Sequence, residues 1–348
     1  MNQSIGAGHA MSRRRLLRRA TLGGTAIAAA SLLPAEAASL FPGQSASAAT
    51  GSPGIGQVSG VDVAVDTSHA TKDVAVQLLK FFQHKSDRDV DGTMSYFSRQ
   101  PLTYIDATLG WSWYTWEALR KSLSEFMPNW PADGRSYPVR ILGDLTSALV
   151  FFTDTAGLFG PAEIRAVGAV NFRRGLIARQ VDYWDGRHFG IANLAGKQEP
   201  ANQFPSDFGE STVGETAAPA MRRVARDLAQ ALRKGDGAAA AELFSPAAVF
   251  EDVPAHIQIV GPGSIGNYLT SAASLLPYAG PGTSVRHVLG SDVGGGYEWT
   301  AADSPVPRGV IALALDRWHK ITRLTTMWDG SLVGDSTLTS LAQKAVER

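Results

Sequence analysis

Leu102-Thr103-Tyr104-Ile105-Asp106 and Ala248-Val249-Phe250-Glu251-Asp252 read as one strand written twice. Each alternates larger apolar and more polar side chains, as a strand with one covered face does. An amphipathic helix precedes each strand. Val74, Leu78, Phe81 and Phe82 make the apolar stripe of the first, and Met221, Val224, Leu228, Ala231 and Leu232 that of the second, at spacings of three and four. A short second helix follows, ending in Tyr96-Phe97 or in Leu243-Phe244. After each strand comes a third helix, lined by Trp116, Leu119, Leu123 and Phe126 or by Ile265, Leu269, Ala272 and Leu276. Several β-rich runs close each half, and both halves end in Trp-Asp-Gly, at Trp184-Asp185-Gly186 and Trp328-Asp329-Gly330. One order of elements repeated at a near-constant offset marks an internal duplication.

The expected class is α+β: two tandem cone-shaped domains, each with helices packed on a curved, mostly antiparallel sheet. The first domain spans 70–190 and the second 218–335, with a Gly-, Pro- and Ser-rich linker over 191–217 and a C-terminal tail over 336–348. A sheet bent around a helix leaves a mouth, a natural pocket for a small hydrophobic ligand. The two domains are expected to pack sheet to sheet as an intramolecular pseudo-dimer.

At the N-terminus, Ser12-Arg13-Arg14-Arg15-Leu16-Leu17-Arg18 resembles the twin-arginine export signal. The apolar run from Ala20 to Leu33 is too short to span a bilayer but suits the core of a signal peptide. Small-residue cleavage sites follow at Ala35-Glu36-Ala37 and Ala46-Ser47-Ala48. Residues 1–37 are thus expected to be a signal peptide, 38–69 a disordered linker, and the mature protein secreted or extracytoplasmic without stable membrane insertion.

The chain has no cysteine, which excludes disulfides, thiolate nucleophiles and zinc–cysteine sites. Its formal net charge is zero, but five arginines precede Ala20, so the mature part is acidic and no nucleic-acid partner is expected. The seven histidines are scattered without metal-ligand spacing, and no Gly-x-Ser-x-Gly elbow occurs. Neither a metal nor a cofactor is expected. Gly294-Gly295-Gly296 lies among strands and reads as a turn or bulge, not a phosphate cradle.

Chemistry is expected from carboxylates, because burial in an apolar cone raises a carboxyl pKa toward the range useful for proton transfer. The candidates are Asp106 and Asp252 on the repeated strand, Asp154 in Phe152-Thr153-Asp154, Asp182 in Val181-Asp182-Tyr183, and Asp316 in Leu315-Asp316-Arg317-Trp318, with Tyr104 beside the first. The structural alternatives are strand-end caps for Asp106 and Asp252, a solvated hairpin for Asp154, and a surface pair of Asp316 with Arg317. Trp184 and Trp328 read as core, and the following Asp-Gly pairs as tight turns. The cluster Trp111, Trp113, Tyr114 and Trp116 either lines the cone mouth or fastens the third helix.

The pattern over 70–190 and 218–335 resembles the nuclear transport factor 2 superfamily, which includes ketosteroid isomerase, limonene-epoxide hydrolase and SnoaL-like polyketide cyclases. In the second half the resemblance rests on Ala231-Leu232, Gly235-Asp236, Leu243-Phe244 and Val249 to Asp252; in the first, on Val181 to Asp185 with Arg187 and Phe189. It implies that Asp252 matches the proton-shuttling Asp of ketosteroid isomerase and Asp316 its oxyanion-donating Asp, with Leu228 where that enzyme has its Tyr. It also implies that Tyr104 and Asp106 match the water-holding pair of limonene-epoxide hydrolase, and Asp154 and Asp182 its two carboxylates, with Phe152 in place of the bridging Arg. The function expected is an exported, cofactor-independent acid–base enzyme of isomerase, cyclase, dehydratase or epoxide hydrolase type, with Asp106 and Asp182 as base and acid. The rivals are a non-catalytic binding protein and a structural module. Pocket geometry discriminates: Asp106, Asp154 and Asp182 must face one cavity.

Overall fold

A computed structural model describes residues 57–302 and 304–346. The twin-arginine signal, both cleavage sites and most of the 38–69 segment lie outside the described residues.

Thirteen strands are present among the described residues: β1 Asp66–Ala70, β2 Thr103–Asp106, β3 Trp111–Trp113, β4 Ser136–Gly143, β5 Ser147–Asp154, β6 Ile164–Arg173, β7 Leu176–Trp184, β8 Phe244–Asp252, β9 Ile257–Val260, β10 Thr283–Gly290, β11 Gly294–Ala301, β12 Arg308–Leu315 and β13 Ile321–Trp328. The helices are α1 Lys72–Ser86, α2 Val90–Met94, α3 Trp116–Phe126, α4 Gly186–Phe189, α5 Ile191–Ala195, α6 Glu210–Val213, α7 Pro219–Lys234, α8 Gly237–Ala241, α9 Pro262–Ser271 and α10 Asp335–Ala345. The first sheet runs β1-β4-β5-β6-β7-β2-β3 and the second β10-β11-β12-β13-β8-β9. Apart from the extra edge strand β1, the two orders are the same, and the duplication extends to register. Asp106 stands opposite Asp182 in the parallel β2–β7 pair, as Asp252 stands opposite Thr326 in the parallel β8–β13 pair.

Local chemistry repeats as well. Helices α1 and α7 both stop at a left-handed residue, Arg88 (φ 61°) in one and Gly235 (φ 66°) in the other. The next residue, Asp89 or Asp236, then caps the following short helix, accepting from the Gly92 or Ala239 N–H. Glycine takes that left-handed geometry without strain; Arg88 does not.

Each sheet packs helices on one face and the other sheet on its opposite face. In β7, Gln180, Asp182 and Trp184 alternate with Arg179, Val181 and Tyr183, so the two sets point to opposite sides of the sheet. The odd-numbered set belongs to the layer between the sheets. There Ile105, Leu149, Phe151, Val167, Val181 and Tyr183 meet Leu289, Val310, Ala312 and Met327. Two-sided burial explains why β5 is buried along its whole length. The same layer holds a fully buried ion pair, Arg179 to Glu298 at 2.8 Å, with the Tyr183 hydroxyl donating to Glu298 at 2.7 Å. Gly294 and Gly296 lie within β11 rather than in a turn. A Cβ on Gly294 would fall 2.0 Å from the His69 carbonyl oxygen, and one on Gly296 would meet Leu149, so these glycines let the two domains approach.

The Trp-Asp-Gly repeats meet across this boundary. Asp185 and Asp329 begin short helical turns instead of closing tight turns, and each also accepts the other domain's glycine N–H. Gly186 donates to Asp329 at 3.1 Å, and Gly330 donates to Asp185 at 3.0 Å. Such exchange is the signature of an isologous contact.

Three expected boundaries need correction. Residues 57–69 are not wholly disordered: Val58 is buried and β1 pairs in parallel with β4. The 191–217 linker carries α5 and α6 and plants Phe208 between the sheets with no exposure. The 336–348 tail forms most of α10, whose Leu341 is buried in the second core. In each case one or two large apolar side chains anchor a segment whose overall composition is polar.

Candidate active site

The site lies in the first domain, in a cavity of about 80 Å³. Its walls are mainly Leu119, Leu123, Phe126, Phe152, Phe159 and Ile164. Lys85, Tyr104, Asp106, Asp154 and Asp182 all line it. The strands explain the convergence. Asp106 and Asp182 are register partners on adjacent parallel strands, Tyr104 lies two residues before Asp106 on the same face, and Asp154 ends β5.

Each carboxylate has a different environment. Asp182 is nearly fully buried and receives the Tyr104 hydroxyl at 2.6 Å and the Gln180 amide at 2.9 Å. Burial is the main cause of its raised pKa, which those two bonds and the Lys85 charge partly offset. Asp106 accepts the Thr108 and Leu109 N–H groups and the Trp184 indole N–H at 3.0 Å. It therefore caps the turn after β2 while also lining the cavity. Burial, helped by nearby Asp182, pushes its pKa up to about 7 against the lowering effect of these donors. Burial and the Asp182 charge hold the Tyr104 phenol well above its usual range, so it acts as a donor.

Asp154 is buried opposite a cation that the sequence pattern did not single out. Lys85 Nζ lies 3.2 Å from Asp154 Oδ1, both side chains being under a tenth exposed, and 5.0 Å from the centre of the Phe152 ring. The cation beside Asp154 thus comes from α1. A sequence signal existed: Lys85 continues the stripe Val74, Leu78, Phe81, Phe82 at the same spacing, on the buried face of the helix. Ser122, on α3, also lines the cavity, and its hydroxyl is buried without a partner. Of the aromatic cluster, Trp111 and Trp113 line the cavity, Trp116 donates to the Met94 carbonyl, and Tyr114 donates to the Asp207 carbonyl at the surface.

The second domain reads differently at the same places. By strand register and by the shared helix stop, Lys85, Tyr104, Asp154, Gln180 and Asp182 correspond to Leu232, Phe250, Ala301, Leu324 and Thr326. Of the polar set only Asp252 persists, matching Asp106. It is fully buried and accepts from Tyr278, Trp328 and the Ala255 N–H, with its pKa raised by burial to about 6. Phe250, Tyr268, Tyr278, Trp299 and Trp328 pack this domain's interior. Asp316 is not on a strand and joins no site. The strand ends at Leu315, and Asp316 organises the β12–β13 hairpin by accepting the Trp318 and Lys320 N–H groups. Among the described residues no group of three histidine or carboxylate side chains is placed to hold a metal ion, and no helix is long and apolar enough to cross a membrane.

No family model matches the chain, and no curated protein matches it. Solved structures do. A steroid delta-isomerase from Pseudomonas aeruginosa is 15% identical over 38% of this chain and 93% of its own, with a TM-score of 0.30. A candidate SnoaL-like polyketide cyclase from Shewanella putrefaciens is 12% identical over 36% and 87%, with a TM-score of 0.31. An NTF2-like protein of unknown function from Cytophaga hutchinsonii is 10% identical over 36% and 96%, with a TM-score of 0.27.

Proposed function

We propose that the first domain is a cofactor-independent acid–base enzyme for a small hydrophobic molecule, and that both domains are SnoaL-like members of the nuclear transport factor 2 superfamily behind a twin-arginine signal. One observation carries the catalytic reading: three carboxyl groups, a tyrosine and a lysine line one largely apolar cavity, and the second domain has lost nearly all of them. A fold that closes well without these groups does not need them for packing. Asp106, with a pKa near 7, can take up and release a proton around neutral pH. Asp182, held by Tyr104 and Gln180, is the partner acid, and isomerisation, cyclisation, dehydration and epoxide opening all use such a pair. The cavity limits size: about 80 Å³ is smaller than the roughly 150 Å³ that admits benzene, so the resting state suits a compact molecule. The second domain serves as the structural half of an intramolecular pseudo-dimer.

The test is mass spectrometry of small molecules co-purifying with the mature protein, Asp106→Asn and Asp182→Asn. A compound that accumulates on the variants but not on the wild type is expected. The same cargo on all three proteins would overturn catalysis in favour of plain binding.

A further inference from the structure

Lys85 has no part in the acid–base scheme above, yet its ammonium is buried in the cavity against Asp154. An ammonium buried between Phe82 and Phe152 is unfavourable unless paired, and a buried pair is often no better than an apolar substitute. The second domain contains that substitute, since Leu232 and Ala301 stand where the first has Lys85 and Asp154. The fold does not require the pair.

What surrounds the amine is a set of groups suited to carbonyl chemistry. Asp154 is within hydrogen-bond reach of Nζ and can take its proton. Asp106 and Asp182 line the same cavity, both shifted by burial toward the protonated form. The apolar walls favour a step that expels water. We propose that Lys85 is a nucleophile that condenses with a small, uncharged aldehyde or ketone to form an iminium linkage.

The step balances without an added oxidant or reductant. Asp154 takes one proton from the ammonium, and the freed lone pair forms a C–N bond to the carbonyl carbon. The C=O π pair moves to oxygen, which is protonated by Asp106 or Asp182, and the nitrogen returns a proton to that carboxylate. The carbinolamine then loses its oxygen as water, using the proton held on Asp154, while the nitrogen lone pair closes C=N. The iminium cation takes the place of the ammonium opposite Asp154, so the ion pair is retained. The cavity of about 80 Å³ favours a small carbonyl compound.

The proposal rests on reading the cavity as a reaction site, and its test is separable from that reading. The mature protein is treated with acetaldehyde, and in parallel with formaldehyde as a smaller probe, then reduced with borohydride and mapped by peptide mass spectrometry. Lys72, Lys80, Lys121 and Lys234 are exposed and serve as internal standards. Lys85 is expected to be alkylated at least about tenfold faster than these, Asp154→Asn to lose that advantage, and Lys85→Met to lose only the Lys85 adduct. A Lys85 inert to both aldehydes while exposed lysines react overturns the proposal. That result leaves the acid–base reading standing if Asp106→Asn still accumulates a compound. A labelled Lys85 with no accumulation on the aspartate variants supports the nucleophile and overturns the acid–base pair.

Discussion

Asp106 and Asp252 hold the same place in two copies of one fold, and their neighbours separate them. Asp252 meets three donors and has no second carboxylate across its own cavity, so burial, with a smaller push from the Asp185 charge, makes its ionised form costly. Its folded pKa of about 6 exceeds the ordinary aspartate value of 3.8, so the folded state holds its proton longer than the unfolded chain does. Stability from this group is therefore complete below about pH 4 and lost as pH rises through about 6. Asp252→Asn keeps the acceptor for Ala255 and Trp328 and can donate to the Tyr278 oxygen, so it should raise stability above neutrality by about 1–3 kcal/mol. Denaturant titrations at acid and alkaline pH check this, and an alkaline stability equal to wild type would contradict it. Asp106→Asn should instead lower turnover by about 10²–10⁴-fold, as loss of a general acid or base does, with the fold retained by circular dichroism. The residue scale is only partly legible in sequence. Apolar flanks announce burial for Asp106 and Asp182, but alternation fixes a face only within each strand, and their meeting depends on the β2–β7 register. Lys85 stays hidden because a lysine in a helix is ordinarily read as solvated. Asp316 misleads because a strand-like run ends one residue earlier than its pattern suggests.

Among the elements, the helices and strands of both halves follow from periodicity, and the connectors do not. Phe208 sits in a polar stretch, yet it fills the layer between the sheets while the Arg179 guanidinium donates to its carbonyl. Phe208→Ala should cost about 3–5 kcal/mol, as large-to-small changes in a core do, and can be read as a lower denaturant midpoint. A loss below about 1 kcal/mol would mean that the segment is not anchored there. The Asp-Gly pairs show a second limit. Locally they look like turns, and only the fold reveals that each carboxylate also caps the opposite domain. Asp185→Ala removes a helix cap and an interdomain bond together, so its loss should exceed the roughly 1 kcal/mol typical of a cap. In a double-mutant cycle with Asp329→Ala, the two losses should be non-additive, since each side chain accepts from the turn that the other organises.

For the whole molecule, the buried Arg179–Glu298 pair ties the two sheets into one body. Removing one partner leaves an uncompensated charge, so Glu298→Leu should cost about 3–5 kcal/mol. Replacing both, as Arg179→Met with Glu298→Gln, should recover much of that loss while preserving an acceptor for Tyr183. Calorimetry should show one unfolding transition in the wild type, because the apolar layer and the reciprocal caps are shared; two separated transitions would show that the domains melt independently. Of the two domains only the first carries the lysine, tyrosine and paired carboxyl groups in its cavity among the described residues, so ligand uptake should saturate at a single equivalent along a hyperbola, with no cooperativity between halves despite their common architecture. The chain would then respond to its ligand in proportion to occupancy, without a threshold.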